Sequence, residues 1–239
     1  MRSRLIKLIL PVILSLCVFN STACQFSSTG TNTMPENSEK MLSPEEAKED
    51  LNTVKKLLLD VHPSTIEGLD KKNEKLINDT INSVKKPIST ESLFFKVQNI
   101  LNTAGDAHTS INYSPMAGER SLKVYYMWLA DGLYIGEDNL PLKKGDKVLE
   151  IGNKSTASIF NELSKTISHE NDNWVRAMGE MALTMEYFID HLGIIDRNDN
   201  IKYMVLRDGK KQSFSIPFKN ISGPCRAPIL EGKSSRFTY

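Results

Sequence analysis

Cysteine is scarce in this 239-residue chain, with three in all. Cys17 lies inside an apolar leader and Cys24 directly follows small residues, which leaves Cys225 alone. Neither a disulfide framework nor a thiolate metal site can be built from such a set. Cys225 itself stands in the loop-like Gly223-Pro224-Cys225-Arg226 with no histidine nearby, which suits an inert thiol better than a nucleophile. An excess of either charge is also missing. Without Arg2, Arg4 and Lys7, 27 of the 30 basic residues face 29 acidic ones, a net charge near −2. Nothing in that balance recommends nucleic acid as a partner. The apolar run Leu8 to Phe19 is shorter than the roughly 20 residues a bilayer span needs.

What the N-terminus does have is the order of an export signal. Three basic residues precede the apolar run, and Ser21-Thr22-Ala23 supplies small residues for cleavage, so residues 1 to 23 read as a signal peptide. Cys24 after those residues resembles a bacterial lipoprotein cleavage site, where the cysteine is acylated and becomes the mature N-terminus. The resemblance implies a membrane partner through a lipid anchor on the outer face. Ser21 stands where leucine is usual, and simple secretion after cleavage near Ala23 is the alternative. Residues 24 to 40 are rich in Ser, Thr and Asn and form a tether that cannot bury a core.

The first folded segment is helical. Ser43-Pro44-Glu45-Glu46 is a capping box with proline at the first helical position, and Leu51, Val54, Leu57, Leu58 and Val61 follow at helical spacing until His62-Pro63. A second helix carries Leu69, Leu76, Ile77, Ile81 and Val84. A third opens near Ser89-Thr90 and carries Leu93, Phe94, Val97, Ile100 and Leu101 before Ala104-Gly105 stops it. These apolar residues read as core, and His62 as a helix-end residue.

Gly105-Asp106-Ala107-His108-Thr109 then places a histidine in a glycine-opened turn ahead of the β-prone Thr109-Ser110-Ile111-Asn112-Tyr113. A histidine held at a cleft edge by short polar neighbours meets the needs of a general base. The same residues also suit a helix stop with His108 as polar surface. Ser110 is the nearest serine, and strand alternation would turn it to the same face as His108.

Strands follow. Lys123 to Leu129 and Leu133 to Ile135 flank Ala130-Asp131-Gly132, a hairpin signal, and Arg207-Asp208-Gly209-Lys210 joins a second pair, Ile201 to Leu206 and Gln212 to Ile216. Gly145-Asp146-Lys147-Val148-Leu149-Glu150-Ile151-Gly152-Asn153-Lys154 resembles the central strand of a PDZ domain. In that resemblance Gly132, Leu133, Tyr134 and Ile135 take the place of the carboxylate-binding loop that holds a peptide's C-terminus. An ordinary hairpin strand is the alternative.

Residues 156 to 192 are longer than a PDZ helix requires and read as a helical insertion. One face carries Ala157, Ile159, Phe160 and Leu163; a longer one carries Trp174, Met178, Met181, Met185, Tyr187, Phe188 and Leu192. Core packing is the expected role of the methionines, and an adaptable binding surface the alternative. His169-Glu170-Asn171-Asp172-Asn173 reads as a polar helix connection without ordered ligand spacing. Asp196, Asn198 and Asn200 begin like a calcium loop, but Ile201 occupies the place of the required glycine. No metal site and no cofactor are expected.

The order of these parts resembles the tail-specific (C-terminal processing, tricorn-core-like) serine peptidase family over residues 41 to 222, with Leu42 to Glu46 matching a common opening of its first helix. In the tricorn-like branch the histidine matching His108 is the general base. In the processing branch a serine-lysine dyad does that work. Ser83-Val84-Lys85-Lys86 has such a spacing but lacks the companion motifs. The resemblance implies an α+β architecture: a helical domain over 41–113, a PDZ-like domain over 114–222 interrupted by the insertion, and, at 223–239, a linker and the first strand of a catalytic αβ domain. It further implies proteolysis once a nucleophile-bearing domain is joined, with peptides or unfolded protein C-termini as partners. The alternative is a non-catalytic, exported, lipid-anchored peptide-binding module.

Overall fold

Ser43 starts the first helix by the reciprocal bonds the sequence predicts. In the computed structural model, which describes residues 41–65, 67–113 and 120–218, Ser43 Oγ accepts from Glu46 N at 3.2 Å and Glu46 Oε2 accepts from Ser43 N at 2.8 Å. The leader, Cys24, the tether, Cys225 and the expected strand after it lie outside the described residues. α1 spans Pro44–Val61 and ends at His62, ahead of Pro63. α2 spans Lys71–Asn82 under an Asp70 cap, and α3 spans Thr90–Leu101 under Ser89. β1 (Met41–Leu42) pairs antiparallel with β2 (Ile88–Ser89), joining the entries of α1 and α3.

The inward stripe of α1 is narrower than its periodicity suggested. Ala47, Leu51 and Leu58 are buried with Val54 against them, whereas Leu57 and Val61 are exposed. α1 has neighbours on one side, α2 and α3, so a single stripe suffices. Ile77, Ile81, Val84, Val97 and Ile100 complete this helical core.

Six short strands make the second part. β3 (Tyr126–Leu129), β4 (Gly132–Ile135), β5 (Lys147–Ile151), β7 (Asn200–Arg207) and β8 (Lys210–Pro217) lie side by side in that order, all antiparallel, and β6 (Lys154–Ser155) folds back on β5. The β5–β6 turn has Gly152 and Asn153 both left-handed, at φ 57° and 65°. A side chain at Gly152 would collide with the Ile194 backbone, 2.3 Å from an ideal Cβ, so the position demands glycine twice over. Asp208 and Gly209 make the second hairpin with the same handedness.

Between β6 and β7 come α4 (Thr156–Thr166), α5 (Asp172–Ala182) and α6 (Glu186–Leu192). The long Trp174-to-Leu192 face is thus two helices broken at Leu183–Met185. Its apolar residues divide accordingly: Phe188 and Leu192 are buried, but Trp174 and Met181 are 40% and 44% exposed. The mixed helix and sheet is an α+β arrangement. Phe94 and Phe95 on α3 pack into the sheet core with Tyr126, Leu133, Ile151, Tyr203 and the insertion's Ile159, Leu163 and Ile189, so α3 serves both cores. No helix of the described residues is long and apolar enough to cross a membrane.

Asp146 explains why a glycine-aspartate pair precedes β5. Its side chain is 2% exposed and receives Lys143 N at 2.8 Å and two guanidinium bonds from Arg207, at 2.7 and 2.6 Å. Burial alone would raise its pKa, but the Arg207 bonds and the Lys143 N–H leave it below the ordinary value. Its stabilising share is therefore complete above the unfolded pKa of about 3.9 and fades as pH falls through the depressed folded value. Replacing Arg207 by alanine strands a buried carboxylate, and we expect denaturant unfolding at pH 7 to report a loss of about 3–5 kcal/mol. A loss below about 1 kcal/mol, the worth of an exposed pair, would contradict this.

Candidate functional site

α3 hands the chain to a tight sequence of turns. A 3₁₀ turn over Asn102–Ala104 is closed by Gly105 in the left-handed conformation, φ 64°. Asp106 then organises everything around it. Its Oδ1 accepts the His108 backbone N–H at 3.0 Å, its Oδ2 accepts the Thr109 hydroxyl at 2.7 Å, and the Asp106 carbonyl accepts Thr109 N–H at 3.2 Å. The His108 backbone bond, followed by the Thr109 hydroxyl bond, holds the Asp106 carboxyl down at about 2. His108 Nδ1 lies 3.3 Å from Asp106 Oδ1, and the rest of the ring reaches into solvent with 88% of the side chain exposed.

His62 supports the turn from behind. Its Nδ1 accepts the Ser64 backbone N–H at 3.2 Å, which places the ring proton on Nε2. From there a chain runs from His62 Nε2 to Thr109 Oγ1 at 2.6 Å and on to Asp106 Oδ2. The Ser64 hydroxyl donates to the Ala104 carbonyl at 3.1 Å and ties the end of α1 to the end of α3. His62 is therefore a positioning residue rather than a bare helix end.

Residues 109–113 are not the strand their composition suggested. They cross from α3 to the insertion in irregular conformation, with Ile111 N donating to the Gln98 side chain at 3.2 Å and the Thr109 carbonyl accepting the Ser168 hydroxyl at 2.6 Å. These two side chains take up the backbone groups that a neighbouring strand would have paired. The strand alternation that aligned Ser110 with His108 consequently does not exist. Ser110 instead borders a cleft of about 370 Å³. Phe94, Tyr113, Trp174, Met178, Met181 and Met185 form the apolar walls, and Ala107 brings the His108 turn to the rim. Met178 and Met185 pack against the sheet core as expected, whereas Met181 is exposed at the cleft.

Gly132, Leu133, Tyr134 and Ile135 are strand β4, paired to β3 along its length and to β5 at Leu133 and Tyr134. Ile135 N donates to the Asp146 carbonyl at 3.0 Å. A strand committed on both sides lacks the row of free N–H groups that a carboxylate loop presents, so the hairpin alternative describes this segment. None of the four lines the cleft. A larger open cleft of about 800 Å³ lies elsewhere, between α2, α3 and α4, lined by Lys72, Lys75, Lys96 and Lys165. Lys75 and Lys165 are paired there with Asp79 and Glu162.

The sequence gives no sign of Ser64 or Ser168 at this turn, and it reads His62 as a helix end and Glu170 as part of a polar connection. One side-chain ligand atom from each of Asp106, His108 and Glu170 lies within 4.8 Å of the other two. No local spacing links residue 62 or 170 to the turn at 106–109, so no motif could have found them. Two signals were present: proline after His62, which fixes where α1 ends, and Asn171, whose side chain caps α5 by accepting Asn173 N and Trp174 N.

No family model matches the chain, and no curated protein matches it significantly. Among solved structures it resembles mature CPAF complexed with lactacystin, with a TM-score of 0.54 and 15% identity over 73% of this chain. CPAF is a serine protease like the tail-specific proteases. The likeness is one of fold, and the aligned part spans 34% of that protein's chain.

The depressed carboxyl at the centre of the turn is directly measurable. Asp106 should titrate near 2 by carbon-13 NMR, and Thr109→Val should raise its midpoint by removing the hydroxyl donor. Because the folded pKa is depressed, the turn's support is present above about 3.9 and is lost as pH falls towards the folded midpoint. A wild-type midpoint near 4 would contradict the network.

Proposed function

We propose that this chain is the base-bearing N-terminal portion of an exported serine peptidase of the tail-specific, tricorn-like type. The observation that carries this reading is the Asp106–His108 pair on either side of Ala107, which lines an apolar cleft. A carboxylate facing Nδ1 favours the tautomer with the proton on Nδ1, so Nε2 carries the lone pair. Nε2 would take the proton of a serine hydroxyl as it attacks a peptide carbonyl, and return it to the leaving amine. The serine and the oxyanion donors belong to a further domain, since among the described residues no serine near His108 stands on a strained turn or helix start.

In this reading the sheet from β3 to β8 is the PDZ-like part. Peptide or unfolded-protein substrates lie along residues 109–113, with apolar side chains against Trp174 and the methionines. Cys24 holds the protein on the outer face of a membrane through its acyl chains. The fold likeness to CPAF supports the reading, as does the position of the His108 turn at a cleft rim. The exposed Trp174 and Met181 favour a second reading, a non-catalytic lipoprotein that uses the same cleft only to hold peptides.

The experiment takes the mature protein from its host, where the N-terminal mass should include acyl chains on Cys24. Alone, it should neither cleave casein nor react with a fluorophosphonate, while apolar unfolded peptides should shift Trp174 emission to the blue and Met181→Asp should abolish that shift. Joined to a serine-bearing domain, His108→Ala should reduce hydrolysis by about 10²–10⁴-fold with peptide binding unchanged. Hydrolysis indifferent to His108→Ala would contradict the base reading, and peptide binding with no hydrolysis in the joined protein would favour the non-catalytic one. Fluorophosphonate labelling lost in both Ser110→Ala and His108→Ala would overturn the division of labour.

A further inference from the structure

Glu170 comes from the connection between α4 and α5, yet it meets the His108 turn more than sixty residues earlier in the chain. The meeting is enforced by the backbone. Two residues before Glu170, the Ser168 hydroxyl donates to the Thr109 carbonyl at 2.6 Å. One residue after it, Asn171 caps α5. Glu170 is thereby held between a clamp on the turn and a fixed helix start. One ligand atom each from Asp106, His108 and Glu170 then lies within 4.8 Å of the other two.

The set is an imidazole and two carboxylates. Among the described residues no lysine or arginine is paired with Asp106 or Glu170, so two negative groups converge on the ring without a fixed cation. Zinc binds such nitrogen and oxygen donors at about 2.0–2.2 Å, which makes the edge of its coordination tetrahedron about 3.4 Å. The separation of His108 Nδ1 and Asp106 Oδ1, 3.3 Å, already matches that edge. Glu170 needs to approach by at most about 1.4 Å to complete a face, which rotation of an exposed side chain supplies. Calcium and magnesium prefer all-oxygen sites, whereas imidazole selects zinc and its transition-metal neighbours. The Thr109 hydroxyl on the other Asp106 oxygen, itself bonded to His62, is the outer support such a ligand requires.

We propose that Asp106, His108 and Glu170 bind a zinc-class divalent cation. The consequence for catalysis rests on the base reading above. A neutral imidazole has one lone pair, and a metal that takes it leaves His108 unable to accept a proton. The cation would then hold the base in an inactive, reversible state, and its open coordination position would be filled by water.

Metal binding is measured on the untagged mature protein by competition with a chromophoric zinc chelator, with cobalt absorption reporting the geometry. We expect one zinc per chain and a tetrahedral cobalt band, with about tenfold or greater weakening in each of His108→Ala and Glu170→Gln. Glu137→Gln, on an exposed residue outside the cluster, should leave affinity unchanged, and circular dichroism without metal should show every variant folded. Absence of zinc uptake, or uptake that survives both ligand substitutions, would overturn the site. No catalytic domain is needed, so that failure would leave the base reading intact. A base reading that fails in the hydrolysis assay would remove only the inhibitory consequence.

Discussion

α3 has to bury two opposite faces, and the rest of the molecule is arranged around that requirement. Val97 and Ile100 face the helical core with Leu51, Leu58 and Ile77, while Phe94 and Phe95 face the sheet and its insertion. Phe95 stacks on His191 at 3.7 Å and meets Phe188 edge-on at 5.3 Å. Burial lowers the His191 pKa, which keeps that stacked ring neutral. Asn102, at the end of the helix, donates to the Ser164 carbonyl of α4 at 2.7 Å. Each buried phenylalanine is worth about 1.5–3 kcal/mol, so neither face of α3 can be released without a large share of a typical domain's stability.

The functional geometry follows from where that helix stops. A turn at the end of a doubly packed helix is a fixed platform, and Asp106 converts it into a defined orientation for His108 through bonds to the backbone and to Thr109. The His108 turn meets the apolar cleft at Ala107, and Phe94, which anchors α3 to the sheet side, also lines that cleft. The position of the turn and the cleft beside it are thus two results of one packing event. The proposed metal site adds a third, since the Ser168 clamp that fixes Glu170 closes on the same turn.

Much of this was legible in the sequence because it depends on short-range chemistry. The Ser43 capping box, the His62-Pro63 stop, the α3 start at Ser89, the Gly152-Asn153 turn and the Asp208-Gly209 hairpin each need only neighbours within a few residues. His108 was legible as a candidate for the same reason. What failed was long-range. Thr109 to Tyr113 has strand composition, but Gln98 and Ser168 take up backbone groups that a partner strand would have used. Gly132 to Ile135 has the spacing of a carboxylate loop, but pairing on both flanks makes it a strand. Trp174 and Met181 have core composition, and only the break at Leu183–Met185 decides that they face the cleft. His62 and Glu170 reach the site through folding alone.

α3 makes the His108 turn part of one cooperative structure rather than a loose loop beside it. The most direct test follows denaturant unfolding at pH 7 with three probes on one sample: helical circular dichroism, tryptophan emission from Trp128 and Trp174, and the ring-proton NMR signals of His62 and His108. One shared midpoint is the expected result. Histidine signals that reach their unfolded positions while circular dichroism and tryptophan emission remain native would contradict it.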